Sequence, residues 1–467
     1  MLASTRALAI SGLDDDQTAL FDAATDWSCR EMAPFSSRWD AEKVFDLATI
    51  RRAAEMGFCS LTTPAEFGGS ALSRHDAALV FEGLSYGDIP VTAYLTIHAM
   101  VSGVIARHGS AEQKAKWLPL LASAEKLSAY ALTEHSSGSD AAAMRTTAKL
   151  VRDPGGGGPE WFELSGEKAF ISCGGVADVY LVLAKVVEEE GSSSSSPSPS
   201  ANSKTSSITA FLVEKGTKGL SFGAPEAKMG WNAQPTTTVS FDRVRVRARD
   251  ALLGVEEGGK MSGGGFKVAM QALDGGRVNI GAISIGGKMI FFKVFFFPPK
   301  VVFRRRSRSK KKKTHFLSFD LRPTTPKKPI PAGASRAVDL ARDYCRQRTA
   351  FGGTPLTEFQ ATQFSLSDAV TDLCAARSLV REAARAVDEG HPVATFRAAA
   401  AKRFASDVSS RAADTALQRL GGYGFLKDYE IERLVRDLRV HQIVEGTNEI
   451  QRVVMWRELE RMDGVSA

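Results

Sequence analysis

The chain has 467 residues, 43% hydrophobic and 24% charged, enough to bury a sizeable core over two to four domains. No uninterrupted run of 18 apolar residues occurs, so membrane insertion is not expected. The net charge of +7 suggests a nucleic-acid partner, but residues 288–333 carry fourteen Lys and Arg against one acid, a net of +13; the remainder stands at −6, and no nucleic acid is expected. The five cysteines, Cys29, Cys59, Cys173, Cys345 and Cys374, are scattered and odd in number, which argues against a disulfide framework and for a reducing compartment. Neither they nor the seven histidines show metal-ligand spacing, so no metal is expected.

Residues 1–13 are rich in Ala, Ser and Thr with one Arg, too short and weakly basic to mark a transit peptide. From Asp14 onward helical patterns alternate with short polar breaks, predicting an all-helical unit over 1–126, with PAEFGG (64–69) as a loop between helices. Between 127 and 249 the pattern changes to short apolar runs such as WFELSG, VYLVLAKV, ITAFLVEK and TTVSFDRV. These predict a compact antiparallel β domain, in which the Ser-rich stretch 188–207 is composed as a disordered surface loop. Over 250–467 the helical period returns, and three or four long helices with a GGYG corner imply a bundle.

That bundle is interrupted at 288–333, where KMIFFKVFFFPP leads through FRRRSRSKKKK to PTTPKKPIPAG. The segment reads as a foreign insertion such as a retained intron. Excising it joins Gly287 to Ala334 and restores one helical stripe through Ile280, Ile283, Gly287, Ala337, Leu340 and Tyr344. A polybasic arm for nucleic acid or an anionic membrane is the rival reading.

Near the C terminus, HQIVEGTNEIQR (441–452) sets Glu445 on a prospective ledge of Ile443, Val444 and Ile450, before a turn or helix start at Gly446, Thr447 and Asn448. Desolvation there would raise the carboxyl pKa and suit it to act as a base toward a reluctant carbon acid. The plain alternative is that Glu445 caps the helix beginning at Thr447. No GxGxxG follows a strand and opens a helix, and GVEEGGKM (254–261) lacks the hydroxyl residue a phosphate loop uses for magnesium.

Four motifs in order, YALTEHSSGSD (130–140), KAFISCGG (168–175), CRQRTAFGGTPLTEFQATQF (345–364) and QRLGGYGFLKDYEIERLVRDLRVHQIVEGTNEI (418–450), resemble the acyl-CoA dehydrogenase family of flavoproteins over nearly the whole chain. Within it the likeness is greatest to the branch that acts on isobutyryl-CoA, through GGSALSRHDAALVFEGLSYGD, TAYLTIHAM, VEKGTKGLSFG and MGWNAQPT. The resemblance implies a mostly α fold with a central β domain, FAD as cofactor, an acyl-CoA substrate and electron-transfer flavoprotein as partner. It also implies a homotetramer in the mitochondrial matrix, acting in valine breakdown. A 2-methylbutyryl- or other short-chain dehydrogenase, an acyl-CoA oxidase and a non-catalytic scaffold are the rivals.

On the matching residues, the resemblance makes Glu445 the base that takes the α proton. It sets Tyr130, Leu132 and Thr133, and Phe170, Ile171 and Ser172, against the flavin, with Ser139 reaching both FAD and substrate. Arg348, Phe359, Gln360, Gln418, Gly421 and Gly422 would hold the dinucleotide part of an FAD belonging to a neighbouring subunit, and Thr447, Asn448 and Glu449 also adjoin the cofactor. Asp274, Arg277, Gly446 and Arg457 fall to the CoA substrate. The chain departs from the family's TEPGSGSD at His135 and Ser136, and the missing proline is expected to loosen that turn. In LDGGR (273–277), Gly276 stands where isovaleryl and long-chain members carry their base, which leaves Glu445 without a competitor. Strand alternation alone would make Phe170 plain core, and Cys173 is read as packing.

Overall fold

The computed structural model describes residues 8–151, 160–187, 208–251, 253, 265–286 and 333–462. The Ser-rich stretch 188–207 and residues 288–332 lie outside them.

Six helices come first: α1 (Asp15–Glu31), α2 (Ser36–Glu42), α3 (Leu47–Glu55), α4 (Arg74–Ser85), α5 (Ile89–His108) and α6 (Ala111–Ala122). Their starts follow the sequence closely. Asp14 and Gln17 form a capping box at α1, Ser110 and Gln113 form another at α6, and Ser73 and Asp88 cap α4 and α5. By length and composition α5 could cross a membrane, but it is a core helix packed against α4 and α6.

Seven strands follow: β1 (Ser128–Ala131), β2 (Thr147–Val151), β3 (Trp161–Ser172), β4 (Val179–Val187), β5 (Ile208–Glu214), β6 (Leu220–Phe222) and β7 (Thr236–Arg247). They form one sheet in the order β1-β4-β2-β3-β7-β6, with β5 on the other edge of β4. The expected antiparallel pairing holds for β2·β3, β3·β7, β4·β5 and β6·β7. It needs correcting at β4, which pairs parallel with β1 over its first half and with β2 over its second. Both faces of β4 are buried, so its apolar run lacks the alternation of a solvated strand.

The last unit is helical: α7 (Gly265–Ile285), α8 (Ala334–Gln347), α9 (Gln360–Asp388), α10 (Ala394–Leu420), α11 (Ile431–Arg439) and α12 (Asn448–Met462). Its core is continuous with that of the N-terminal helices, joining Ile283, Ala337, Val380 and Ala401 to Phe81 and Tyr94. On α11, buried Arg433 reaches Ser36 on α2 at 3.1 Å and the α5 cap Asp88 at 3.4 Å. Asp437, one turn on, accepts from the backbone N–H of Trp231 at 2.7 Å. Thus α11, which leads directly into the Glu445 loop, is tied to both the N-terminal helices and the β sheet, and removing one member of such a buried network costs about 3–5 kcal/mol.

Candidate active site

Glu445 has φ 55 and the next residue, Gly446, φ 85, so two successive residues take the left-handed conformation. For a glutamate this costs on the order of 1 kcal/mol, and the surroundings hold it there. The Gln451 side chain donates to the carbonyls of Glu445 and Gly446, both at 2.9 Å, and Lys402 Nζ donates to Gly446 O at 2.8 Å. Helix α12 begins at Asn448, and Thr447 Oγ1 accepts from Ile450 N at 3.3 Å. Thr447 therefore caps the helix, and Glu445 is free of that task.

Its carboxylate turns instead toward α7. A Cβ built on Gly276 would lie 2.5 Å from Glu445 Oε2 and 2.7 Å from Cδ, so the missing side chain at 276 is the space the carboxylate occupies. Among the described residues Oε2 has no hydrogen-bond partner. Burial pushes the carboxyl up to about 7, against the pull of Arg277 and Lys402. The expected ledge is corrected in part: Ile443 is 51% exposed, and the carboxylate is instead covered by α7 at Gly276.

Other predicted residues gather around this carboxylate. Among the described residues the buried Tyr130 hydroxyl has no partner, and burial, then the Glu445 charge, pushes its phenol above the ordinary range. Asp274 and Arg277 face each other at 2.6 Å, with Thr395 donating to the second Asp274 oxygen at 2.8 Å. Asn448 is buried, accepting from Lys402 Nζ at 2.8 Å and donating to Asp407 at 2.7 Å. Glu449 and Arg457 are exposed on α12.

A second set forms one edge of the sheet. Ala169 N donates to Thr133 O at 2.8 Å, joining the end of β3 to the segment after β1 that carries Leu132 and Thr133. A register shift in β3 between Lys168 and Ile171 puts Phe170 at φ 57 and turns its ring outward, 59% exposed, while Ile171 is buried and Ser172 half-buried. Phe170 is therefore not core, because the bulge breaks the alternation. The turn with His135 and Ser136 is not loose: Glu134 and Ser137 exchange two backbone hydrogen bonds of 3.1 Å, leaving Ser139 exposed beyond it.

The third set lies apart. Arg348, Gln418, Gly421 and Gly422 line a groove of about 410 Å³ between the ends of α8 and α10, and none of them lines the cavity beside Gly276. Phe359 and Gln360 start α9 nearby. The Arg348 guanidinium is exposed, with no partner among the described residues, as a cation awaiting a phosphate would be.

Sequence reading missed several residues here. Lys402 is fully buried, its ammonium pulled down to about 7 by burial and held up by Glu445. Its signal was a single lysine on an Ala- and Ser-rich helix face, RAAAAKRFAS. Lys168 and Glu134 form a buried pair at 2.8 Å that ties the Thr133 segment to β3. Burial would raise the Glu134 carboxyl, but bonds from Lys168, Thr146 and Arg145 N hold it at about 2. Phe351, 89% exposed and edge-on to Phe359, sits inside a quoted motif yet was not singled out.

The chain matches family models of the acyl-CoA dehydrogenase N-terminal, middle and C-terminal domains over residues 14–125, 129–244 and 330–460. It is 38% identical over 452 residues to the mitochondrial isobutyryl-CoA dehydrogenase of Dictyostelium discoideum, covering 97% of this chain and 91% of that protein. To the Bos taurus protein of the same name it is 37% identical over 448 residues, covering 96% and 90%. Among solved structures it resembles butyryl-CoA dehydrogenase from Megasphaera elsdenii, with a TM-score of 0.76, 31% identity and coverage of 96% and 99%.

Proposed function

The chain belongs to the acyl-CoA dehydrogenase family, and on that premise we propose that it removes the α and β hydrogens of a short branched acyl-CoA, isobutyryl-CoA foremost, with Glu445 as the base. The observation that carries this reading is the Glu445 carboxylate, desolvated, its Oε2 without a partner among the described residues and set into the space left by Gly276. The family's enzymes are FAD-dependent oxidoreductases. The residues here fit that cofactor: an outward-facing Phe170 beside Leu132 and Thr133 offers a flat apolar face, and an unpaired Arg348 beside Gly421 and Gly422 suits a pyrophosphate. When bound, FAD supplies the two-electron acceptor for the hydrogen leaving Cβ.

The protein's own part is proton removal and placement. A thioester α proton is a weak acid, so a base near pKa 7 matches the task better than an ordinary carboxylate. In this reading the backbone N–H of Glu445 polarises the thioester carbonyl, a contribution of about 3 kcal/mol for one well-placed donor. Lys402 and Gln451 hold that peptide's neighbours, so the donor needs no rearrangement as charge develops. Isobutyryl-CoA is favoured by the two mitochondrial relatives and by the branch motifs; electron-transfer flavoprotein as acceptor, the mitochondrial matrix and valine breakdown belong to the same proposal.

One experiment tests both base and substrate. Glu445→Gln should keep FAD and bind acyl-CoA yet fail to bleach the flavin anaerobically, while wild type should be bleached fastest by isobutyryl-CoA among isobutyryl-, 2-methylbutyryl-, butyryl- and octanoyl-CoA. Bleaching of the variant at the wild-type rate refutes the base, and octanoyl-CoA ranking first refutes the short-acyl assignment.

A further inference from the structure

Beside Gly276 a cavity of about 400 Å³ opens between α4, α5 and α7. Met100, Gly103, Val104 and Arg107 line it from α5, and the seven helical steps from the first to the last extend about 10 Å. By depth alone such a pocket does not turn away a medium-length straight acyl chain. Its lining is another matter.

Asn279 lies on the same wall, one helical turn beyond Gly276, and is 1% exposed. Among the described residues neither its Nδ2 nor its Oδ1 has a hydrogen-bond partner. On that wall the Arg74 guanidinium packs over Gly275, its Cζ 3.1 Å from where a Cβ would sit, and Arg74 Nε is also buried without a partner. Asp388 offsets part of the burial of that cation by its charge, while its two oxygens accept from the backbone N–H groups of Arg74 and His75 at 2.6 and 2.9 Å rather than from the guanidinium. The partners of Asn279 are therefore whatever enters the cavity.

We propose that Asn279 is the specificity-determining residue for chain length: it forms, with Arg74, a polar floor that confines the enzyme to short acyl groups by polarity rather than by volume. This rests on the reading that the acyl group enters beside Glu445. A four-carbon branched acyl group ends near Gly276 and leaves water on the amide. A longer alkyl chain displaces that water and strands the amide's donors and acceptors, a penalty worth about 5- to 150-fold in kcat/KM.

The test is Asn279→Leu, which keeps the bulk and removes the amide, with kcat/KM measured for isobutyryl-, butyryl-, hexanoyl- and octanoyl-CoA alongside flavin content. The octanoyl-to-isobutyryl ratio should rise about 5- to 150-fold over wild type. Should the leucine variant fail to take up FAD, Asn279→Ala against Asn279→Ser gives the same comparison at nearly equal volume, and the alanine variant should show the higher ratio. A wild type that prefers isobutyryl-CoA, with the ratio unmoved by losing the amide, overturns this inference alone. A wild type that prefers octanoyl-CoA overturns the short-acyl reading beneath it.

Discussion

Glu445 combines a left-handed backbone with a carboxylate buried against a glycine, and both properties have measurable consequences. In its proposed role Glu445 must be ionised to accept a proton, and burial has pushed its carboxyl up to about 7. The kcat/KM profile should therefore climb through that pH to a plateau, whereas an unperturbed carboxylate would be flat there. Stability runs the other way: the folded state binds this proton more tightly than the unfolded chain, so stability is lost as pH rises from about 4.5 through about 7. Glu445→Gln should accordingly raise the melting temperature at about pH 8 and much less at about pH 4.5. Gly276→Ala places a methyl where the carboxylate lies, and since a misplacement near 1 Å can cost about 10²-fold, kcat should fall about 10- to 100-fold with FAD retained. Unchanged kcat would mean that the carboxylate adopts another position during catalysis.

Between residue and fold, the informative element is the pair α7 and α8. Helix α7 ends at Ile285 and α8 starts at Ala334, and the flanking Gly286 and Gly333 have φ 57 and 101. A Cβ on Gly286 would come within 2.5 Å of the Gly333 Cα, so the chain departs and returns at one point. Ser335 Oγ donates to Ile285 O at 3.0 Å across the break, and Ile280, Ile283, Ala337 and Val338 are buried in one core. The restored stripe expected from sequence agrees: Ile280, Ile283 and Ala337 are buried, and Leu340 and Tyr344 pack against the same core, while Gly287 lies outside the described residues. Deleting 288–333 should therefore fuse α7 and α8 into a single helix. Loop closure costs only about 0.6 kcal/mol per doubling of length, so the main gain is the helical turn restored at the junction. Expression of both forms should show more soluble, FAD-loaded protein and a higher melting temperature for the deletion. Equal yield, flavin content and melting temperature would defeat the idea that the segment interrupts a helix.

For the molecule as a whole, the question is how many chains make one site. The residues around Glu445 and the set at Arg348, Gln418 and Gly421 occupy separate places on the chain, which supports an FAD held between neighbouring subunits. Mixing Arg348→Ala subunits with Glu445→Gln subunits distinguishes the cases. If sites are shared across a two-fold interface, re-associated mixtures regain about a quarter of wild-type activity, because half the pairs are mixed and each holds one intact site. If each chain holds its own cofactor, the mixture stays inactive. Arg348→Ala alone should lose flavin on gel filtration, read from the flavin-to-protein absorbance ratio.

What the sequence by itself determined was whatever depends on local pattern: capping residues at α1, α4, α5 and α6, the change of period at residue 127, the return to helix in the last third, and four motifs whose order marks the family. Glu445 was legible because its neighbours form one of those motifs. What the tertiary structure decided depends on contacts between distant segments, which periodicity does not encode. A bulge in β3 turned Phe170 outward, and one edge of β4 took β1 and then β2 as parallel partners while the other took β5. The space at Gly276 and the lysine from α10 meet around Glu445 only when α7, α10 and the loop before α12 pack together. Desolvation, which lifts the Glu445 carboxyl to about 7, is a property of that packing and of no single stretch of chain.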